Sequence, residues 1–157
     1  MTTSGTQYVQ NVEMSRHSIL VQGIQANFPH KAIRTWGCHF LTLLKWAEVK
    51  NGLYLTTTNE IIAIFKDATF AGLINGDNSF IRDNLGFMNF ITKGAYTKFI
   101  RKDEKMLGQQ LQVVGLGRSQ GGTHFILEYN DGSTWDSLPP DRPAAKTWSP
   151  ANYRIFV

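Results

Sequence analysis

The chain has 157 residues, of which 42% are hydrophobic, 12% aromatic and 18% charged, with a formal net charge of +4. This is the composition of an ordinary globular domain, and at this length about two-thirds of the unfolded surface is buried on folding, without the help of disulfides or structural metal. The longest apolar runs, such as Phe40-Leu41 and Leu43-Leu44, fall far short of the ~20 residues of a membrane span, so a membrane-spanning protein is excluded.

Residues 1–17 read as a polar tail and residues 18–157 as one domain. Met1 to Leu20 contains Glu13 and His17 and lacks the apolar run of a secretory signal, which predicts a cytoplasmic chain. Ser18 to Ile24 reads as a short strand or a helix start, closed by the breaker Asn27-Phe28-Pro29. From Cys38 to Lys50 the apolar residues Phe40, Leu43, Leu44 and Ala47 recur at i, i+3, i+4 and i+7. With Gly52 placed for a left-handed C-cap, this spacing predicts a helix. Thr58-Asn59-Glu60 supplies cap chemistry for a second helix through Ile61, Ile64, Phe65 and Ala68. Further helical patterns cover Asp83 to Phe90 and Tyr96 to Lys102.

The period then changes from helical to alternating. Gln109 to Val114 and Thr123 to Tyr129 read as strands, and Asn130-Asp131-Gly132 marks a hairpin turn into Thr134-Trp135. Gly115-Leu116-Gly117 with Gly121 imitates a dinucleotide fingerprint but leads into a strand, so it reads as a loop on the rim of a cleft. Pro139-Pro140 to Pro150 reads as an extended surface loop, and Asn152 to Val157 as a closing strand. Helices followed by an antiparallel sheet define an α+β fold.

The single cysteine, Cys38, excludes an internal disulfide and any thiolate-cluster metal site. His17, His30, His39 and His124 show neither metal-ligand spacing nor a carboxylate-rich loop, so no metal or other cofactor is expected. Lys98, Arg101, Lys102 and Lys105 form the one basic cluster. It reads as a solvated helix face rather than a nucleic-acid footprint. Cys38 itself follows Gly37 at the start of the first predicted helix, where unpaired N–H groups and the helix dipole favour a thiolate and could hold an oxyanion. A buried core cysteine is the competing reading.

The other end of the chain bears on that choice. His124 enters an apolar strand and Asp136 lies on the returning strand, so a base and an orienting acid follow the nucleophile in order. Loop length decides whether they meet. A two-residue Asp131-Gly132 turn puts Asp136 on the sheet face opposite His124. A three-residue Asn130-Asp131-Gly132 loop pairs Ile126 with Asp136 and puts Asp136 on the His124 face. His39 points elsewhere on the helix, and His17 and His30 read as surface residues.

In the order of these residues, and in the strings Gly37-Cys38-His39-Phe40-Leu41 and Gly122-Thr123-His124-Phe125-Ile126-Leu127 followed by Asp136, the chain resembles the papain-like cysteine peptidase superfamily. Within it the chain is most similar to small bacterial double-glycine leader peptidases and to an uncharacterised papain-like family of plasmids and phages. The resemblance spans Trp36 to Leu138. It implies N-terminal helices packed on a C-terminal antiparallel sheet, with Cys38 as nucleophile, His124 as general base and Asp136 as orienting acid. Members of the family place a glutamine a few residues before the cysteine as a second oxyanion donor. Position 32 here is Ala, and Gln25 or Gln22 serves only if the intervening loop folds back.

The leading expectation is a cysteine hydrolase acting on a peptide or isopeptide amide through a thioester, with a peptide or protein as its partner and no nucleic acid or membrane. The alternatives are a cell-wall peptide hydrolase and a non-catalytic binding module gripping a partner through tryptophans such as Trp36, Trp135 and Trp148. Trp36 and Trp135 are the candidate substrate-binding residues.

Overall fold

The computed structural model describes residues 17–157, and the polar segment 1–16 lies outside the described residues. Two helices meet at Gly37: α1, Lys31–Trp36, which the sequence patterns did not predict, and α2, Cys38–Asn51. Gly37 has an ordinary backbone conformation (φ −83°), so its glycine is not required by a left-handed turn. It is required by close approach, because a Cβ there would run into the Ile33 carbonyl oxygen and lie 2.9 Å from the Ile33 Cα. The break it allows ends one helix and lets Cys38 open the next.

The α2 helix ends at Gly52, whose left-handed conformation (φ 73°) is the predicted C-cap. It buries His39, Phe40, Leu41, Thr42, Leu43, Leu44, Trp46 and Ala47, so its first two turns are enclosed on all sides instead of along the single stripe its spacing suggests. On one side Phe40 meets Phe65 of α3 (Thr58–Phe70) edge-on at 5.2 Å and Phe87 of α4 (Asn84–Thr92) at 5.7 Å. The α3 helix starts with a reciprocal capping box between Thr57 and Glu60, one residue earlier than the predicted cap, and Asp83 caps α4 by accepting from the Gly86 N–H at 2.8 Å.

On its other side α2 covers a five-stranded antiparallel sheet of β1 (Phe99–Lys102), β2 (Leu111–Gly117), β3 (Thr123–Tyr129), β4 (Thr134–Trp135) and β5 (Ser149–Phe156). Its spatial order is β1-β5-β2-β3-β4. Mixed helices with an antiparallel sheet bear out the α+β expectation.

Four local expectations fail. The segment Tyr96 to Lys102 is not a helix, because Phe99–Lys102 pairs along β5 and this ladder outweighs local preference. The basic cluster is therefore carried by an edge strand and its continuation. Gly115-Leu116-Gly117 is no loop but the end of β2, where Gly115 pairs with both Phe125 and Asn152. Ser18 to Ile24 forms neither strand nor helix before a 3-10 turn at Ile24–Asn27, and is held by single hydrogen bonds such as Ile19 N–H to the Leu55 carbonyl at 2.8 Å. The proline-rich loop contains a 3-10 turn at Pro143–Thr147, and β5 begins at Ser149 rather than Asn152.

The hairpin between β3 and β4 has the three-residue loop. Leu127 pairs with Trp135 and Glu128 with Thr134, the Tyr129 N–H reaches the Ser133 carbonyl at 2.8 Å, and Gly132 is left-handed at φ 87°. This register carries Asp136 to the His124 face. Gly37→Ala is expected to lower stability by about 1–3 kcal/mol, the range for forcing a methyl group into a filled site. Urea unfolding measures it, and a midpoint unchanged from the native protein would contradict the close-approach account.

Candidate active site

The site is assembled where the first turn of α2 meets the entry of β3. One turn into α2, the fully buried Thr42 hydroxyl lies 2.6 Å from the Cys38 carbonyl and 3.2 Å from the Phe125 carbonyl. Its single proton is shared between helix and strand and sets the position of Cys38 relative to the residue beside His124. Cys38 is the first residue of a 14-residue helix, so its N–H is among those with no intrahelical partner.

His124 and Asp136 come together as a buried pair. The His124 Nε2 lies 2.7 Å from Asp136 Oδ1, with both side chains almost wholly out of solvent. That bond leaves the other ring nitrogen, Nδ1, uncommitted, and Cys38, which lines the same cavity, acts on the ring and helps to raise its pKa. Asp136 is itself over-determined. Its Oδ1 also accepts from the Leu138 N–H at 2.9 Å, its Oδ2 accepts from Arg142 Nη1 at 3.1 Å, and its own N–H donates to Gln22 Oε1 at 3.3 Å.

These contacts set the charges. Burial pulls the His124 pKa down, but the bonds and charges of Asp136 and Cys38 outweigh it and raise the ring to about 9. Burial likewise works to raise Asp136, and the His124 and Arg142 hydrogen bonds overcome it to leave the carboxyl below its ordinary value. Imidazolium and carboxylate therefore coexist at neutral pH. His39 behaves differently: burial first, and then the charge of Arg154, lowers it to about 3, so it is neutral and stacks on Phe125 with ring centroids 4.0 Å apart.

Gln25 reaches the site because residues 19–27 fold back along β4 and the segment after it. The Gln25 N–H donates to the Ser137 carbonyl at 2.8 Å, its Oε1 accepts from Ser137 Oγ at 2.7 Å, and its Nε2 donates to the Arg34 carbonyl at 3.1 Å. With the carboxamide oriented by two partners, the second Nε2 proton is left for another acceptor. Gln22 instead holds the Asp136 backbone.

A cavity of about 910 Å³ opens over these groups, lined among others by Gln25, Trp36, Cys38, His124 and Trp148. Trp36 is more than half exposed on its wall. Trp135 is not a wall residue. It is buried in the core, and its indole N–H donates to the Leu20 carbonyl at 3.1 Å, which corrects its assignment to substrate binding. His30 is also no plain surface residue, since it packs on Phe65 at 5.0 Å.

Sequence reasoning missed Arg142 and Arg154. Both sit outside any motif, and only tertiary placement brings them to the site. Trp148 was named only as a partner grip. It lies 5.9 Å from the His124 ring, close over Gly122, with Arg118 4.2 Å above its own ring.

Among the described residues, no three His, Cys, Asp or Glu side chains form a group able to hold a metal, and no helix is long and apolar enough to cross a membrane. Fold and site together define a mixed helix and antiparallel-sheet protein with a cysteine, histidine and aspartate array at a helix N-terminus. No family model, no curated protein and no solved structure matches the chain, so its functional class rests on the site itself.

NMR titration of the His124 ring is expected to give a midpoint near 9, and Asp136→Ala to move that midpoint down. A ring raised above its unfolded value of 6.5 adds stability that is complete below pH 6.5 and is lost as pH rises through about 9. Unfolding midpoints should therefore fall over that window, and less so in Asp136→Ala. An identical His124 midpoint in both proteins would contradict the pairing.

Proposed function

We propose that the chain is a papain-like cysteine hydrolase that cleaves a peptide or isopeptide amide through Cys38, His124 and Asp136. The observation that carries this reading is the buried 2.7 Å bond from His124 to Asp136, with Cys38 at a helix N-terminus as the ring's other partner. The order of these residues, with the cysteine opening a central helix, the histidine on β3 and the aspartate directly after β4, supports it. So does the Gln25 carboxamide on the same cavity.

The chemistry follows from the positions. The Cys38 thiolate adds to the amide carbonyl carbon, and the negative charge that moves onto oxygen is met by the Cys38 N–H and the free Gln25 N–H. His124 gives its proton to the leaving nitrogen as the carbon–nitrogen bond breaks, which leaves an acyl thioester on Cys38. The neutral ring next takes a proton from water while the water oxygen attacks the thioester. Collapse expels the thiolate and releases the acid, with the ring again protonated. Asp136 holds the ring orientation and stabilises its charge throughout.

Alkylation tests the site without a known substrate. Iodoacetamide should modify Cys38 in the folded protein, and His124→Ala should slow the reaction. Reaction only on unfolding would make Cys38 a packing residue and return the non-catalytic binding reading. On a cleaved peptide, Cys38→Ser should abolish turnover, and Gln25→Ala should lower kcat by about 10²–10³. Asp136→Ala should cost more activity than stability, whereas Asp131→Ala, in the hairpin loop, should cost no activity. Equal activity of the two aspartate variants would remove Asp136 from the mechanism.

A further inference from the structure

The wall of the cavity away from His124 holds a cationic pair with no anion to balance it. Arg101 of β1 and Arg154 of β5 are direct partners in the antiparallel register, so their side chains leave the same face of the sheet. Directly opposed like charges destabilise a strand pair. Among the described residues neither arginine forms an ion pair, and no aspartate or glutamate lines the cavity.

Arg154 is held in place by packing. Its guanidinium lies 4.8 Å over the Phe125 ring, and its Nε donates to Asn152 Oδ1 at 2.9 Å. Asn152 can lie there because its strand neighbour is Gly115, where a Cβ would come within 2.6 Å of that same Oδ1. Phe125 in turn stacks on His39, the residue after the nucleophile. Gly115, Asn152, Arg154, Phe125 and His39 thus form a packed series from the arginine pair to Cys38. Burial, together with the charge of Arg101, lowers Arg154 to about 10, which leaves it cationic at neutral pH.

We propose that this arginine pair is a carboxylate-binding subsite, and that the hydrolase prefers substrates with a carboxylate within a residue or two of the scissile amide. The proposal rests on the hydrolase reading for its substrate and on the arginine pair for its anion. Opposed residues in an antiparallel pair are about 4.5–5.5 Å apart at Cα, so one carboxylate reaches both guanidinium forks. An anion there relieves the repulsion between them, whereas a cationic substrate residue would add to it.

The test has two arms. In the first, alkylation of Cys38 by anionic iodoacetate is compared with neutral iodoacetamide, each relative to glutathione. The pair is expected to favour iodoacetate by about tenfold or more, as a focused positive field does for an anion. Arg154→Met and, at the exposed edge, Arg101→Met should each cut that ratio severalfold. Lys102→Met, a cation of the same strand outside the cavity, should leave it alone. In the second arm, peptide libraries compare internal Asp or Glu, a free C-terminal carboxylate and their amides. Faster cleavage of carboxylate peptides, lost in both arginine variants, supports the subsite, and the library shows whether the anion is a side chain or a chain end. A glutathione-like ratio, or a carboxylate preference that survives both arginine variants, overturns it. An arginine-dependent ratio with no cleavage of any peptide would instead overturn the hydrolase reading and leave the anion site standing.

Discussion

The relation between the first turn of α2 and the entry of β3 is the constraint on which the rest of the molecule depends. A thiol on a helix and an imidazole on a strand belong to different layers, and side-chain packing alone tolerates sliding between layers. The buried Thr42 hydroxyl removes that freedom by bridging the Cys38 carbonyl and the Phe125 carbonyl. The stack of His39 on Phe125 presses the same junction from the neighbouring residue. Gly37 contributes from the other direction, because the break it permits makes Cys38 the start of a helix rather than the middle of one.

Electrostatically, the site is a short series in which Arg142, Asp136 and His124 alternate in charge and lead to Cys38. Arg142 faces Asp136, Asp136 faces His124, and His124 faces Cys38. A buried carboxylate with no cation would take up a proton, and a buried imidazole with no anion would lose one, as His39 does. His124 and Asp136 keep their charges because their neighbours are in place. The Leu138 N–H shares Oδ1 with the ring and Arg142 Nη1 holds Oδ2, so Asp136 has little room to rotate.

Much of this was legible in the chain itself, though unevenly. The helix from Cys38, the cap chemistry near Glu60, the strand from Thr123 and the hairpin at Gly132 are local signals, and local patterns report them. The register of that hairpin was narrowed to two choices that differ by one residue, and backbone hydrogen bonds at Tyr129 and Ser133 select between them. What stayed hidden depends on distant partners. Phe99–Lys102 is a strand only because β5 lies beside it. Trp135 and Trp36 are equivalent as residues and opposite in place, since one finds a carbonyl at Leu20 and the other finds open space. Gln25 was a conditional candidate, and the condition, a folded-back segment, is set by Ser137 and Arg34, which no motif connects to it.

The fold-back of residues 19–27 onto the segment after β4 also orders events during synthesis. The helix carrying the nucleophile leaves the ribosome early and is built from local contacts. Its base, its orienting acid and the anchor of Gln25 are translated far later, and chains emerge N-terminal end first. Until Ser137 has been made, the Gln25 carboxamide lacks the donor that fixes its oxygen, and until β3 and β4 pair, the imidazole has no carboxylate. On the nascent chain the array around Cys38 therefore forms only after translation has passed the hairpin.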